Sequence, residues 1–393
     1  MNRFHLFFFF NFILFSFLSC KGQVCIDYEH LSGAENINAD YEKSTEVDKD
    51  ILIDDISFIK LQTTSKCLIG EIDDIFFIDN TIVVVDKEIS KAVFLFDMKG
   101  NFKGQVSRLG NGRQEYLKLH DVSVTPDGLI AIYDILKDKI MFFDNKGRYK
   151  KEQNMSFRFS EFDYVDSTHM VFNIIGRDRK KIYDNHTYVV TDSKLRELYF
   201  FGDDVQTELF TYRKNHGLYL YGTNVYCTIN LGTTIYQVGK DSLTAKYNVN
   251  IPDNVTDYSF ESDKEFFDLR NKHSFFGDDF IELKDYTVIG YRVPIKGKQF
   301  FVYDHETKQT TLLTRKQMQN PLLLFLNSPS TVYKDNIIVQ YESSSSLCTY
   351  KEMIYKEFSA DFPQLEELYD GLTVDSNPVL FFYNINLKNE NRQ

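Results

Sequence analysis

One phrase recurs six times along this chain: a short, mostly apolar strand that ends on Asp, Asn or Gly. FLFD ends at Asp97, MFFD at Asp144, VVTD at Asp192 and YQVG at Gly239, in steps of 47, 48 and 47 residues. FVYD ends at Asp304 and FFYN at Asn384, after wider steps of 65 and 80. A near-constant period of this length marks a fold in which each repeat is one small unit stacked on its neighbours. Two more strand-like runs precede each copy, such as DIFFID and TIVVVD before Asp97, or DVSVT and LIAIYD around the turn PDG before Asp144. After the earlier copies comes a polar turn and a fourth strand such as FKGQV or AKYNV. Four short strands in each of six units predict an all-β, six-bladed β-propeller.

The ends predict how the ring shuts. The sixth unit finishes on NLKNENRQ without a fourth strand, and a spare strand, DISFIKLQT (55–63), stands before the first unit. Pairing the two would complete the last blade and leave no open sheet edge. The recurrent Asp97, Asp144, Asp192 and Asp304 are expected to shape the turn between third and fourth strands, because Asp tolerates Asx-type turns. Two stretches break the rhythm, 256–273 and 349–370. Their apolar residues fall at helical spacing, as in Met353, Tyr355, Phe358 and Phe362, so both predict short helices over one face of the disc. The run Ser343 to Ser346 reads as a flexible turn.

The first twenty residues read as an address. Arg3 is followed by an apolar run from Leu6 to Leu18. That is too short for the roughly 20 residues that span a bilayer but right for the core of a secretory signal. Ser19 then precedes Cys20. The expected organisation is a signal peptide over 1–20, a polar tether over 21–49 and the propeller over 50–388. Cys25, Cys67, Cys227 and Cys348 carry no CxxC or Cys/His spacing, which argues against zinc; Cys227, inside NVYCTIN, reads as a buried small hydrophobe. The net charge is −12, from 45 basic and 57 acidic residues. With no dense Lys/Arg cluster, nucleic acid is excluded as a partner.

FLSC at Phe17 to Cys20 resembles a bacterial lipobox, which implies lipidation of Cys20 and attachment to the outer membrane. The stretch LGNGRQEYLKL resembles the G-x-G-P-x-E-Y segment of bacterial six-bladed β-propeller lipoproteins. Gly110, Gly112, Glu115 and Tyr116 match it, and Arg113 stands where that family has Pro. The blades also look like NHL-type repeats, and NPVLFFY matches a closing segment such proteins often show. The resemblance implies an exported, lipid-anchored propeller of the kind encoded near outer-membrane nutrient uptake. It implies no activity.

Arg113, Glu115, Tyr116, His120 and Asp121 lie close together in GNGRQEYLKLHD and are the candidate ligand residues. In one reading they rim a site at the channel mouth; in the other they brace the joint between two blades. His120 and His169 stand near first strands, where a channel would run. GRDRKK (176–181) is a basic hairpin tip. No HExxH, GxSxG, P-loop or EF-hand pattern occurs, and Gly110-x-Gly112 lacks the rest of a dinucleotide motif. No metal or cofactor is expected. The chain is expected to be a monomer that binds a glycan, a peptide or an outer-membrane uptake protein. The alternative is a secreted hydrolase or lyase acting at the channel mouth.

Overall fold

The computed structural model describes residues 25–27, 31–174, 186–203, 217–229, 232–254, 262–314, 320–326 and 330–386. Cys20 and the 176–181 cluster lie outside these residues. Six blades of four antiparallel strands stand around a central axis. The strands of blades 1 to 5 run outward in chain order, and blade 6 takes its outer strand from the N-terminal side of the chain. The sheets of blades 4 and 5 each gain a fifth, parallel strand at the rim. Blade 1 is Asp74–Ile78, Thr81–Asp86, Ala92–Asp97 and Phe102–Gln105. Blade 2 is Leu119–Val124, Ile130–Asp134, Lys139–Phe143 and Tyr149–Asn154. Blades 3, 4 and 5 begin at Phe159–Asp166, Leu218–Tyr221 and Phe275–Glu282, and blade 6 begins at Thr331–Tyr333.

Each blade is apolar on both faces because each face packs on a different neighbour. In the second strand of blade 2, Ala131 and Tyr133 pack against Phe159 and Phe172 of blade 3. The alternate residues Ile130 and Ile132 pack against Val83 and Leu95 of blade 1. That is the two-residue alternation of a strand, here with two dry sides. Six such cores fill the six joints, the last joining Leu380 and Phe382 of blade 6 to Ile82 and Phe94 of blade 1. The ring is closed.

Closure follows the sequence expectation. The strand β3 (Ile53–Lys60) lies antiparallel to Val379–Ile385, pairing Lys60 with Val379, Phe58 with Phe381 and Ile56 with Tyr383. Gly100 makes the neighbouring turn possible: at φ 80°, a Cβ there would stand 2.1 Å from the Lys60 carbonyl oxygen. Asn377 bolts the seam. Its side chain donates to the carbonyls of Gln62 (2.9 Å) and Cys67 (3.0 Å) and accepts from Ile69 N–H (2.8 Å).

The segment expected to be a tether, 21–49, is instead partly built into the disc. The bridge of Cys25 to Phe200 and the bond from Ile26 N–H to Phe200 O (2.9 Å) place it at the outer rim of blade 3. Then β1 (Glu35–Asn38) pairs parallel to Leu243–Asn250 of blade 4, and β2 (Thr45–Asp48) pairs parallel to Thr310–Thr314 of blade 5. The N-terminal chain is thus a belt around three rims before β3 enters the fourth. Each belt strand contributes mainly one apolar anchor, Ile37 or Val47, both buried.

The insertions are helical as expected, with different bounds. One helix is Asp263–Lys272. The others are Ser344–Phe358 and Gln364–Tyr369, which bury Leu347, Ile354, Phe358, Leu365 and Leu368 against the joint of blades 5 and 6. The serine run is not a flexible turn. Ser343 caps the helix by accepting from Ser346 N–H (3.1 Å), as Ser does at an N-cap. Met353 faces outward, 45% exposed.

Third-to-fourth-strand turns are held by the recurrent Asp. Asp97 Oδ1 accepts from Lys99 and Asn101 N–H (2.9 Å each), and Asp192 Oδ1 does the same with Lys194 and Arg196. Asp144 repeats the pattern with Lys146 (3.0 Å) and Arg148 (2.9 Å), and Asp304 accepts from Glu306 and Thr307 (2.8 Å each). A less visible device ends the second strands of blades 1 and 2. Buried Asp134 accepts from the backbone N–H groups of Leu117, Lys118, Leu136 and Lys137 (2.7–3.3 Å). Asp86 does the same for Gly70, Glu71, Ile89 and Ser90. Charged hydrogen bonds to buried donors are worth about 1.5–3 kcal/mol each. Asp134→Ala is therefore expected to cost about 3 kcal/mol or more by urea unfolding; a loss under about 1 kcal/mol would contradict the clasp.

Candidate functional site

The first strands line a funnel along the axis. Its wide part, about 1370 Å³, opens on the face that carries the turns between first and second strands, including Asp79, Pro126, Gly222 and Lys334. The narrow part, about 160 Å³, continues inward and shares Phe76, Tyr221 and Thr331 with the wide part.

The vestibule wall alternates tyrosines with charged and amide groups. Tyr164, Tyr221, Tyr226, Tyr247 and Tyr333 contribute to it, with Asn145, Asn224, Lys246 and Asp335 between them. One side carries a polar chain. Tyr247 Oη donates to Glu282 Oε1 (2.9 Å), and Thr287 Oγ1 lies 2.7 Å from Glu282 Oε2 and 2.8 Å from His305 Nε2. His305 Nδ1 faces Lys284 O at 3.1 Å. Burial raises the Glu282 carboxyl above its ordinary range, against these hydrogen bonds and the nearby His305.

The neck has two unlike sides. Blades 1–3 supply Asp73, Asp74, Asp121, Glu161 and Asp163; blades 4 and 5 supply Leu218, Tyr219, Tyr221, Phe280 and Phe300. Lys87, from the loop after the second strand of blade 1, reaches Asp74 at 3.0 Å and Asp121 at 3.7 Å. Burial alone would depress the Lys87 ammonium, but Asp74, Asp121 and Asp73 more than reverse that and raise it. Burial raises Asp121 well above the usual carboxylate range and pushes Asp163 up to about 7. Ser123 Oγ donates to Asp163 Oδ1 (2.7 Å), and Phe162 N–H donates to Asp121 Oδ2 (3.0 Å).

Of the five residues singled out from GNGRQEYLKLHD, the structure puts Asp121 on the channel wall. Glu115 lies in the joint of blades 1 and 2, where Arg108 (2.6 Å) and Gly112 N–H (2.9 Å) hold its carboxyl below the usual range. Tyr116 is fully buried, and its Oη donates to Lys91 O (2.9 Å). Lys137 Nζ ties the loop down through the carbonyls of Gly112 (3.2 Å) and Glu115 (2.7 Å). Arg113 is exposed. His120 packs edge-on to Tyr133 at 5.6 Å, and burial depresses its pKa. His169 lies against Asp166 at 2.8 Å. Gly112, Glu115 and Tyr116 thus brace the joint, while Asp121 lines the channel. Among the described residues, no group of three or more His, Cys, Asp or Glu is placed to hold a metal ion. None of Cys25, Cys67, Cys227 and Cys348 forms a disulfide, and Cys227 is fully buried.

Residues 34–384 match the family described as Domain of unknown function (DUF4934). The chain belongs to that family. The match runs from the start of β1 through blade 6 and so takes in the belt strands β1 and β2. No curated protein sequence matches it. The DUF4934 fold is similar to the crystal structure of a protein described as exported, from Bacteroides fragilis. The TM-score is 0.72 at 20% identity, over 89% of this chain and 99% of that one. A member of the DUF4221 family from Bacteroides vulgatus matches with TM-score 0.48 at 10% identity, over 85% and 97% of the two chains.

Asp74, Asp163 and Lys87 of the DUF4934 propeller went unnoticed in the sequence. A signal was there: the first strands of blades 1, 2 and 3 read DIFF, DVSV and DYVD, each with an Asp ahead of its apolar residues. Blades 4 to 6 have LYLY, FIEL and TVYK in the matching strands. An acid repeated on three consecutive inner strands converges on one side of the axis.

Proposed function

We propose that this DUF4934 propeller is an exported binding module of the bacterial cell envelope, anchored through a lipid at Cys20. Its ligand, a glycan, peptide or partner protein, enters by the vestibule. The wide funnel carries the reading: about 1370 Å³, walled by tyrosines with polar groups between them, suits ligands that offer both apolar faces and hydrogen-bonding groups. The description of a similarly folded Bacteroides protein as exported supports the location, as does the lipobox-like FLSC. Among the described residues no helix is long and apolar enough to cross a membrane, so attachment would fall to the acyl chains, two or more of which anchor stably. Screening the propeller against glycan and peptide arrays at physiological salt tests the ligand. Binding that the vestibule change Tyr333→Ala removes, with the fold retained by circular dichroism, is expected; an array with no specific hits overturns the reading.

Anchoring has its own test. Cys20→Ser is expected to move the protein from the membrane fraction to the soluble fraction, and a variant that still sediments with membranes contradicts lipidation. A second reading, hydrolysis or elimination at the neck, draws on one observation. A buried carboxyl held near 7 is suited to general acid–base work. Turnover of an array hit that Asp163→Asn abolishes would favour it.

A further inference from the structure

Asp163, nine-tenths buried on the neck wall, has a single hydrogen-bond donor in the fold. Asp73 accepts from the backbone N–H of Lys87 (2.5 Å), and Asp74 takes the Lys87 ammonium. Glu161 accepts from Gly217 N–H (2.8 Å). Asp121 has Phe162 N–H on one oxygen and Lys87 3.7 Å from the other. Asp163 has only Ser123, on Oδ1. Its Oδ2 accepts no hydrogen bond, although the residue is 9% exposed and lies on the cavity wall. The open space beside it can admit a donor from a ligand.

The surroundings select that donor. Five carboxyl groups face one lysine, so an anion is repelled and a cation attracted. Lys87 shows the chemistry in place, an ammonium among these same carboxylates. Across the neck, Leu218, Ile281 and Val288 are aliphatic and Phe280 and Phe300 aromatic. These side chains suit methylene groups and the face-on approach of a cation to a ring, and Tyr219, Tyr221 and Thr331 add hydroxyls to the same wall. At about 160 Å³ the neck has room for roughly five waters, enough for a short alkyl chain and its head group.

We infer that the neck is a subsite for a primary alkylammonium group, such as a lysine side chain, presented by a ligand whose body occupies the vestibule. This rests on the funnel being the ligand-binding side of the disc. Asp163 Oδ2 accepts from the ammonium, the Asp163 carboxylate balances its charge, and the aliphatic side chains cover the chain. Binding requires ionised Asp163, whose proton is shared electrostatically with Asp74, Asp121, Glu161 and Lys87; the lining residues of blades 4 to 6 add no carboxylate or lysine. Affinity should therefore rise with pH and level off above about 7.

The test is calorimetric titration of the propeller with n-butylammonium chloride, n-butanol and glucosamine at pH 8 and pH 5.5. Butylammonium is expected to bind at pH 8 at least tenfold tighter than either control, and at least tenfold more weakly at pH 5.5. Asp163→Asn, which keeps an oxygen for Ser123, should weaken it at least tenfold at pH 8 while the melting transition persists. If that variant does not fold, the pH and butanol comparisons on the native protein decide. Equal binding of butanol, tighter binding of glucosamine, or an unchanged Asp163→Asn affinity each overturns the proposal. An empty peptide array with butylammonium still bound would sink the vestibule reading and leave the neck standing.

Discussion

Deleting residues 55–63 is expected to replace one cooperative unfolding transition by a broad, early one, with exposed apolar surface and self-association. The expectation follows from where β3 sits. Its seven partners run from Val379 to Ile385 at the centre of blade 6, so losing it bares a full row of backbone donors and acceptors. Phe381 and Tyr383 are fully buried, and Phe58 lies 6.2 Å from the Phe381 ring. Lys60 Nζ also donates to the carbonyls of Glu367 (2.6 Å) and Asp370 (3.0 Å), holding the end of the insertion helix. The seam to blade 1 goes too, because Gln62 N–H bonds Gly100 O (2.9 Å). In a ring each joint supports the next, so one opened seam weakens both adjoining cores. Far-ultraviolet and near-ultraviolet melts, with size-exclusion chromatography, check it. Coincident melts at the native midpoint from a monomeric variant would rule out closure as a stabilising element.

Asp163→Asn is expected to do the opposite. Burial pushes the Asp163 carboxyl up to about 7, against about 3.9 in an unfolded chain. The folded state therefore holds a proton that the unfolded state has lost. Stability from this group is complete below about pH 4 and falls as pH rises to about 7, beyond which it is flat. The full difference is on the order of 4 kcal/mol, an upper figure because Lys87 and the cavity relax around the charge. Asn is neutral at every pH, so the variant should gain little at pH 4 and about 2–4 kcal/mol at pH 8. Urea unfolding at the two pH values measures this. A variant no more stable than the native protein at pH 8 would mean Asp163 is not strained by burial. Keeping a group that destabilises the fold makes sense where a site needs it.

What the sequence disclosed depended on range and on how much each residue buries. Six third strands were legible because Phe94, Phe142 and Phe381 sit in runs dry on both faces, so hydrophobicity and spacing speak together. Closure was legible because DISFIKLQT is long and alternating. The belt was not. ENIN and TEVD are four residues each, mostly polar, and pair with partners more than 200 residues away. Only Ile37 and Val47 betray them. Ser343 to Ser346 misled for a related reason: serine favours turns in isolation, and the helix there is drawn in by burial of Leu347 and Ile354. At the candidate site, GNGRQEY drew attention by its residue types, yet at a joint its Glu115 pairs with Arg108 and its backbone carbonyls take the Lys137 ammonium. The channel acids looked ordinary because each stands alone in its strand, and only the circular arrangement gathers them.

Under the anchoring proposed at Cys20, the belt would also set how the molecule sits. Chain from Cys20 to Cys25 can reach at most roughly 18 Å when fully extended, and Cys25 is already docked beside Phe200. Lipids on Cys20 would therefore hold the rim of blade 3 next to the bilayer. The protein would stand like a wheel on a road, axle level with the surface and both hub openings turned sideways. A ligand travelling along the membrane would meet the vestibule head-on, without having to pass beneath the disc.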